Sequence, residues 1–376
     1  MTAGSRGADA IVIGGGLHGC ATAMYLARAG LDVILVEKDC VGRHASSANA
    51  GGVRRLGRAL AEIPLANAAL DLWQHIADLV DDDCGFTASC QVKVAENERE
   101  FQAQRKRHDQ LLGLGYSHEE IVDRDQLREL VPAIAPHCVG ALVVRGDGHA
   151  SPFQTVRAFR RKAEALGVRI FEGTAVDALQ QRAGHWQITT PAGNLESPVL
   201  VNCAGAWGGE LAALLGEPPV PLQAQAFMLM ITARIKPFVK PVVGAQGRKL
   251  SFKQFDNGTL LIGGGHLGRA EPQSNRTHLD FRQLATSAAT AQALFPNLRG
   301  THIVRCWAGI EGELPDGIPV IGASALPGVY HAFGFCGHGF ALAPIVGSII
   351  ADLIVSGETE LAIDPFAISR FATLAA

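Results

Sequence analysis

The chain has 376 residues, which suits two lobes better than one core. Its 33 Lys+Arg against 36 Asp+Glu leave a formal net charge of -3, without the basic footprint that nucleic-acid phosphates demand, so nucleic acid is excluded as an expected partner. The 8 cysteines are scattered, with no CxxC pair and no His-spaced cluster, so no metal site is expected and reduced thiols in a cytoplasmic protein fit best.

In chain order, residues 1–7 carry only Arg6 as a charge and lead straight into a strand, unlike an export signal. Residues 8–13 read as a strand, Gly14-Gly15-Gly16-Leu17-His18-Gly19 as a turn, residues 20–29 as a helix and residues 31–37 as a second strand. Both strand runs are continuously apolar, the pattern of parallel strands buried on two faces, so a βαβ unit opens the chain. A helix is expected over residues 60–80, ended by Asp81-Asp82-Asp83 and Gly85, and a charge-rich helix over residues 96–113. Ser151-Pro152 signals the start of another helix, over residues 153–166. Strands follow at 168–179, 186–190 and 199–202, and residues 223–264 alternate strand-like runs with turns, Asp256-Asn257-Gly258 being the strongest hairpin signal. Residues 340–355 form an apolar helix interrupted by Pro344, Gly347, Ser348 and Asp352, too short to span a bilayer. The fold class is α/β: a Rossmann-type nucleotide-binding domain interleaved with a second, α+β lobe built on an antiparallel sheet. Residues 1–85, 145–220 and 306–376 are assigned to the first, and residues 86–144 and 221–305 to the second, which would bind substrate.

Gly14, Gly16 and Gly19 make the GxGxxG spacing. The first permits a tight turn, the second lets backbone approach a pyrophosphate and the third lets helix pack on strand, while the helix N-terminus supplies NH groups. Glu37, at the end of the second strand, can accept hydrogen bonds from a ribose diol and disfavours NADP. The motif alone leaves FAD and NAD open.

Three further stretches decide between them. Residues 42–54, with Ser46, Ser47, Asn49, Gly51 and Gly52, resemble the flavin-contacting loop of the D-amino-acid oxidase superfamily, in the branch of sarcosine oxidase, glycine oxidase, hydrogen cyanide synthase and D-hydroxyproline dehydrogenase. Val201-Asn202-Cys203-Ala204-Gly205-Ala206-Trp207 matches the same branch. So does the series from Trp307-Ala308-Gly309 through Pro315-Asp316-Gly317 to Gly334-Phe335-Cys336-Gly337-His338-Gly339-Phe340. The resemblance spans nearly the whole chain in order and implies FAD as cofactor. Its expected contacts are Gly14, Gly16, Gly19, Glu37, Lys38, Ser46, Ser47, Asn49, Gly51, Gly52, Val176, Ala204, Gly205, Trp207, Gly309, Gly334, Gly337, His338, Gly339 and Phe340, with the NH groups of 337–340 facing the electron-rich end of a reduced flavin.

The resemblance also implies an enzyme that oxidises a small amino or imino acid, hydride passing from the carbon next to nitrogen to flavin N5 and leaving an imine. The flavin carries the difficult step, so no catalytic base is strictly required. His266 falls where a sarcosine-oxidase-like substrate histidine would, Arg54 or Arg55 could pair a substrate carboxylate, and His44 resembles a position near the flavin ring. Two departures stand out: glycine oxidases have carboxylate-binding arginines where this chain has Glu311 and Gly337. Monomeric sarcosine oxidase has a lysine where this chain has Ala341. These favour a secondary amine such as D-hydroxyproline, D-proline, sarcosine or another N-substituted amino acid, with an opine or N-alkyl amino acid oxidase as the alternative. Cys306 lies close to the residue that carries flavin covalently in monomeric sarcosine oxidase, although non-covalent FAD is the main expectation. Electrons would pass to oxygen or to a redox partner, and the chain would act alone or as the flavin subunit of a larger complex.

Overall fold

A computed structural model describes residues 6–375; residues 1–5, part of the segment read above for an export signal, lie outside it. The strand Ala10–Ile13 is fully buried and pairs in parallel with Val33–Val36 on one side and Val199–Asn202 on the other. Arg169–Phe171 and Val329–Phe333 extend this parallel sheet, and Val320–Ala323 closes it antiparallel. Helix Leu17–Arg28 packs against helix Gly339–Val355, both rich in small or branched apolar residues, and the buried Trp73 ties the latter down by donating from Nε1 to the Ala341 carbonyl at 2.8 Å. Burial of these apolar faces, worth roughly 25 cal/mol per Å², holds the turn of residues 14–16 between strand and helix.

A second sheet runs from Arg276–His278 through Leu267–Glu271, Gln223–Thr232, Leu260–Gly263, Ser251–Gln254, Val242–Ala245, Gln91–Ala95 and Gly140–Val144 to Glu120–Asp123. Asp256-Asn257-Gly258 makes the expected turn between Ser251–Gln254 and Leu260–Gly263. The sheet is antiparallel except where Val242–Ala245 lies parallel to Gln91–Ala95, joining two segments distant in sequence. Strand Ile303–Glu313 pairs along Gln223–Thr232, so the expected domain boundary at residue 306 falls inside a strand of this sheet. The single helix expected over 60–80 is divided into a 3-10 turn, Leu60–Glu62, and helices Ile63–Gln74 and Ile76–Val80; Asp81 then stops it with φ 55. A short ladder, Gly52–Val53 on Gly148–His149, anchors the loop that follows the first βαβ unit.

Candidate active site

One cavity of about 870 Å³ runs between the two sheets, near the upper end for a ligand pocket. At one end it is built from backbone. A side chain on Gly14 would place its Cβ 2.4 Å from the Cys203 carbonyl oxygen, and one on Gly19 would stand 1.9 Å from the Gly14 carbonyl oxygen. Turn, helix and neighbouring strand therefore meet at a distance that only hydrogen allows. Gly16 is the N-cap of helix Leu17–Arg28 and offers no side chain to its NH groups, and the first turn holds no acid. Ser46 Oγ accepts from Leu17 N at 2.8 Å; the remaining NH groups of the first turn and the helix dipole suit an anion. Glu37 lines the cavity, accepting from Gly15 N at 2.7 Å and Asp39 N at 2.8 Å. Burial raises its pKa against the lowering effect of those two NH groups.

Beyond this cradle, residues 44–46 and 48–52, Val176, residues 203–207, Gly309, Gly334 and residues 337–340 line the cavity. All the expected cofactor contacts are thus brought together except Gly19, which acts by packing, and Ser47, which does not reach the cavity. Asn49 is the internal brace of its loop, donating to the Ala45 and Ser46 carbonyls and accepting from Gly51 N. Lys38 Nζ lies 3.2 Å from the Trp207 ring centroid and donates to Asn275 Oδ1 at 2.8 Å, and burial pulls its pKa down to about 8. His44 lines the cavity 4.8 Å from the Trp207 ring, and burial lowers it to about 4, so at neutral pH it is an uncharged imidazole.

The far end is built from side chains. Arg54 and Lys93 both line the cavity, and Arg54 Nη1 and Lys93 Nζ each lie 3.9 Å from the position a Cβ on Gly57 would occupy. Burial lowers the pKa of both, and among the described residues neither forms a salt bridge. Glu62, Asp147 and Glu119 oppose the fall for Arg54 and Glu119 for Lys93, and Arg54 Nη1 also donates to the Leu56 carbonyl, yet no acid closes directly on either side chain, so two desolvated cations converge where an anion would be favoured. The walls beside them are apolar, from Met228, Val243, Ala245 and Leu250. Below Arg54, Arg58 is 1% exposed and donates to the Arg54 and His338 carbonyls and to Glu62. Burial would raise Glu62, but His338, Arg58 and Arg54 hold it below its ordinary value. This ionised cluster fixes Arg54 and the 337–340 segment relative to each other.

Three expected site residues lie elsewhere. Arg55 does not line the cavity: its Nε donates to the buried Asp147 at 3.4 Å, and Asp147 also accepts from Arg55 N and Leu56 N at 2.8 Å. His266 is also off the cavity; it sits between strands Leu260–Gly263 and Leu267–Glu271 with its ring against helix Phe281–Leu294, where Nδ1 lies 3.0 Å from Gln283 Oε1. Cys306, on a strand residue facing the second core, does not line the cavity either, which removes the geometric support for a covalent flavin there. Sequence reasoning missed Lys93, Arg58 and Glu62. Lys93 was within reach: in Gln91–Ala95, Val92 and Val94 enter the core, so alternation puts Lys93 on the opposite, cavity face.

The family model described as "FAD dependent oxidoreductase" (DAO) matches residues 9–353. The chain belongs to this family. A glycine oxidase of Geobacillus kaustophilus (strain HTA426) is 26% identical over 372 residues, covering 96% of this chain and 97% of that protein. An opine oxidase subunit from Rhizobium meliloti is 26% identical over 375 residues, with 96% and 97% covered. The crystal structure of L-proline dehydrogenase from P. horikoshii superposes with a TM-score of 0.90 at 24% identity, covering 98% of this chain and 99% of that one.

As a member of the DAO family, the protein is an FAD-dependent oxidoreductase, and its residues fit the cofactor. The Gly14 and Gly19 cradle with the open NH groups of helix Leu17–Arg28 suits the pyrophosphate, Glu37 the ribose, and the small-residue loop the ring system. Bound FAD supplies the hydride acceptor; the protein orients substrate, excludes water and sets charge. Among the described residues, no group of His, Cys, Asp and Glu could hold a metal ion, and no helix is long and apolar enough to cross a membrane.

Proposed function

We propose that this enzyme oxidises a small secondary amino or imino acid, of the D-proline, D-hydroxyproline, sarcosine or N-substituted amino acid type. The carboxylate sits at Arg54 and Lys93, and the carbon next to nitrogen delivers hydride to flavin N5. The observation that carries this reading is the pair of desolvated cations at Gly57, neither in a salt bridge among the described residues, in the same cavity as the dinucleotide cradle. Two bound cations offset the cost of desolvating one carboxylate, whereas an uncharged amine would leave both unsatisfied. A secondary amine is favoured over glycine because Glu311 and Gly337 occupy the positions where the glycine-oxidase resemblance expects arginines. Anaerobic mixing with a panel of such amino acids should bleach the flavin band near roughly 450 nm; a panel that leaves the band intact overturns the substrate class.

A second reading is supported by the opine oxidase relative, whose name marks it as one part of an assembly. Here the chain would be a flavin subunit passing electrons to a partner, with an opine-like N-substituted amino acid as substrate. Rapid dye reduction with negligible oxygen consumption by purified protein supports this dehydrogenase form; oxygen consumption matching flavin turnover supports a free-standing oxidase. FAD is proposed to bind non-covalently, so acid denaturation should release all the yellow colour into the supernatant.

A further inference from the structure

Arg54 and Lys93 account for the substrate's negative end, and the opposite charge in the cavity has no partner yet. Glu311 lines the same cavity from strand Ile303–Glu313. Its position is fixed from two sides. Its strand neighbour Gly309 is pressed against the flavin loop, where a Cβ would meet the Ala48 Cβ at 2.6 Å. Its Oε1 accepts from Gly337 N at 2.6 Å. Among the described residues no cation forms a salt bridge with it, and Arg54 and Lys93 are not among the groups that perturb it. The residue is half-buried and lines the cavity that a substrate would fill.

Once cofactor and substrate fill the cavity and displace its water, a carboxylate there without a cation is costly unless it is neutralised or completed by a ligand. Two complements are available for this one: a cationic ligand nitrogen, or a donor on the cofactor. The charge layout favours the first. A zwitterionic amino acid carries one negative and one positive centre, and the cavity presents two cations without a direct salt bridge and a carboxylate that no cation perturbs.

We propose that Glu311 receives the cationic nitrogen of the substrate and takes its proton before the neighbouring C–H bond breaks. The inference rests on the amino-acid reading above. In this step an N–H bond of the substrate's ammonium breaks and an O–H bond forms on the Glu311 carboxylate. The electron pair stays on nitrogen, and one positive and one negative charge disappear together. The neutral amine can then lose hydride from the adjacent carbon to FAD, the oxidant that the family supplies, and becomes an iminium ion. The free amine is needed because its lone pair stabilises the developing cation.

The electrostatics agree with that role. Burial pushes Glu311 up to about 7, the Gly337 NH opposes the rise and the Glu313 charge adds to it. The other titratable groups on the neighbouring segments are quiet: burial pushes Cys336 up to about 12 and His44 down to about 4, and His338 turns its Nδ1 towards Glu62 at 3.2 Å. The ionised form of Glu311, which accepts the proton, therefore accumulates as pH rises through about 7, and flavin reduction should rise with it.

The test compares the FAD-loaded wild type with Glu311→Gln and Glu311→Asp. The rate of anaerobic flavin reduction by sarcosine and D-proline is followed from about pH 6 to about pH 9. In parallel, flavin spectral shifts report binding of cyclopentanecarboxylate, which has the carboxylate but no nitrogen. For Glu311→Gln the expected result is reduction slowed roughly 100-fold near neutrality with the rising limb abolished. FAD content and cyclopentanecarboxylate affinity should stay within about threefold of wild type. Glu311→Asp, which keeps the charge one methylene further back, should be slower but keep the limb; should the Gln variant not fold, loss of the limb in the Asp variant overturns the inference. So does an unchanged rate and limb in Glu311→Gln. A parallel loss of FAD or of cyclopentanecarboxylate binding also overturns it, and makes Glu311 a cofactor or structural group. If wild type is reduced and Glu311→Gln behaves identically, only this inference falls; if no amino acid reduces wild type, the substrate reading falls and takes this one with it.

Discussion

The two ends of the cavity are made in different ways. The cofactor end is backbone: the Gly14 and Gly19 contacts, the uncapped helix and the small residues of 44–52. Elsewhere the cavity carries side-chain charge gathered from segments far apart in sequence: Arg54 after the 42–52 loop and Lys93 on Gln91–Ala95 at the far end, and Glu311 on Ile303–Glu313 held by the Gly337 NH. A backbone cradle tolerates no added atom but is indifferent to what lies beyond it, whereas a charge cluster tolerates shape changes and fails when one charge is lost. The first end should therefore decide whether FAD stays, and the second which molecule is oxidised.

The largest expected effect breaks the first end. Gly19→Val would drive carbon into the Gly14 carbonyl, a clash beyond the usual overpacking cost of about 1–3 kcal/mol. The protein should purify colourless, and a yellow variant with altered substrate preference would contradict the division. At the second end, Lys93→Met should keep full FAD content and lower kcat/KM by roughly 10- to 100-fold, since a desolvated charge contact is lost; steady-state kinetics against measured flavin content checks it.

The histidines provide a milder test. Burial lowers His18 to about 3, His44 to about 4 and His149 to about 4, from ordinary values of 6.5. Below pH about 6.5 the unfolded chain binds protons that the folded one refuses, so stability is greatest above that value and falls as pH drops towards 4. Thermal melts across this range should show it, and replacing His44 with Gln should reduce the slope. The smallest effects are expected at Arg55 and His266, which are engaged with Asp147 and Gln283 away from the cavity. Arg55→Met and His266→Gln should each change kcat/KM by less than about threefold, and a loss comparable with that of Lys93→Met would return either residue to the site.

The same contrast explains what was legible in the sequence. The βαβ cradle is local, so strand, turn, helix and acid fall within 30 residues and their spacing is itself the evidence. The Asp256-Asn257-Gly258 turn was legible for the same reason. The parallel pairing of Val242–Ala245 with Gln91–Ala95 was not, because nothing local encodes a partner about 150 residues away. Arg54 and Arg55 show the limit most plainly: adjacent identical side chains point to opposite environments, and only the buried Asp147 decides which of them is tied away from the cavity. His266 was placed by resemblance to a substrate histidine, and Gln283, on a helix 17 residues later, holds it elsewhere.

Arg54 is the proposed carboxylate anchor of an amino-acid substrate. Its most direct test is an anaerobic titration of wild type and Arg54→Met with secondary amino acids, at matched FAD content, following the flavin band. Wild type should be bleached by at least one of them. Arg54→Met should need on the order of 100-fold more of it, a loss of about 2–5 kcal/mol for a buried charge contact. Equal bleaching of both proteins, at equal concentrations, would contradict the account.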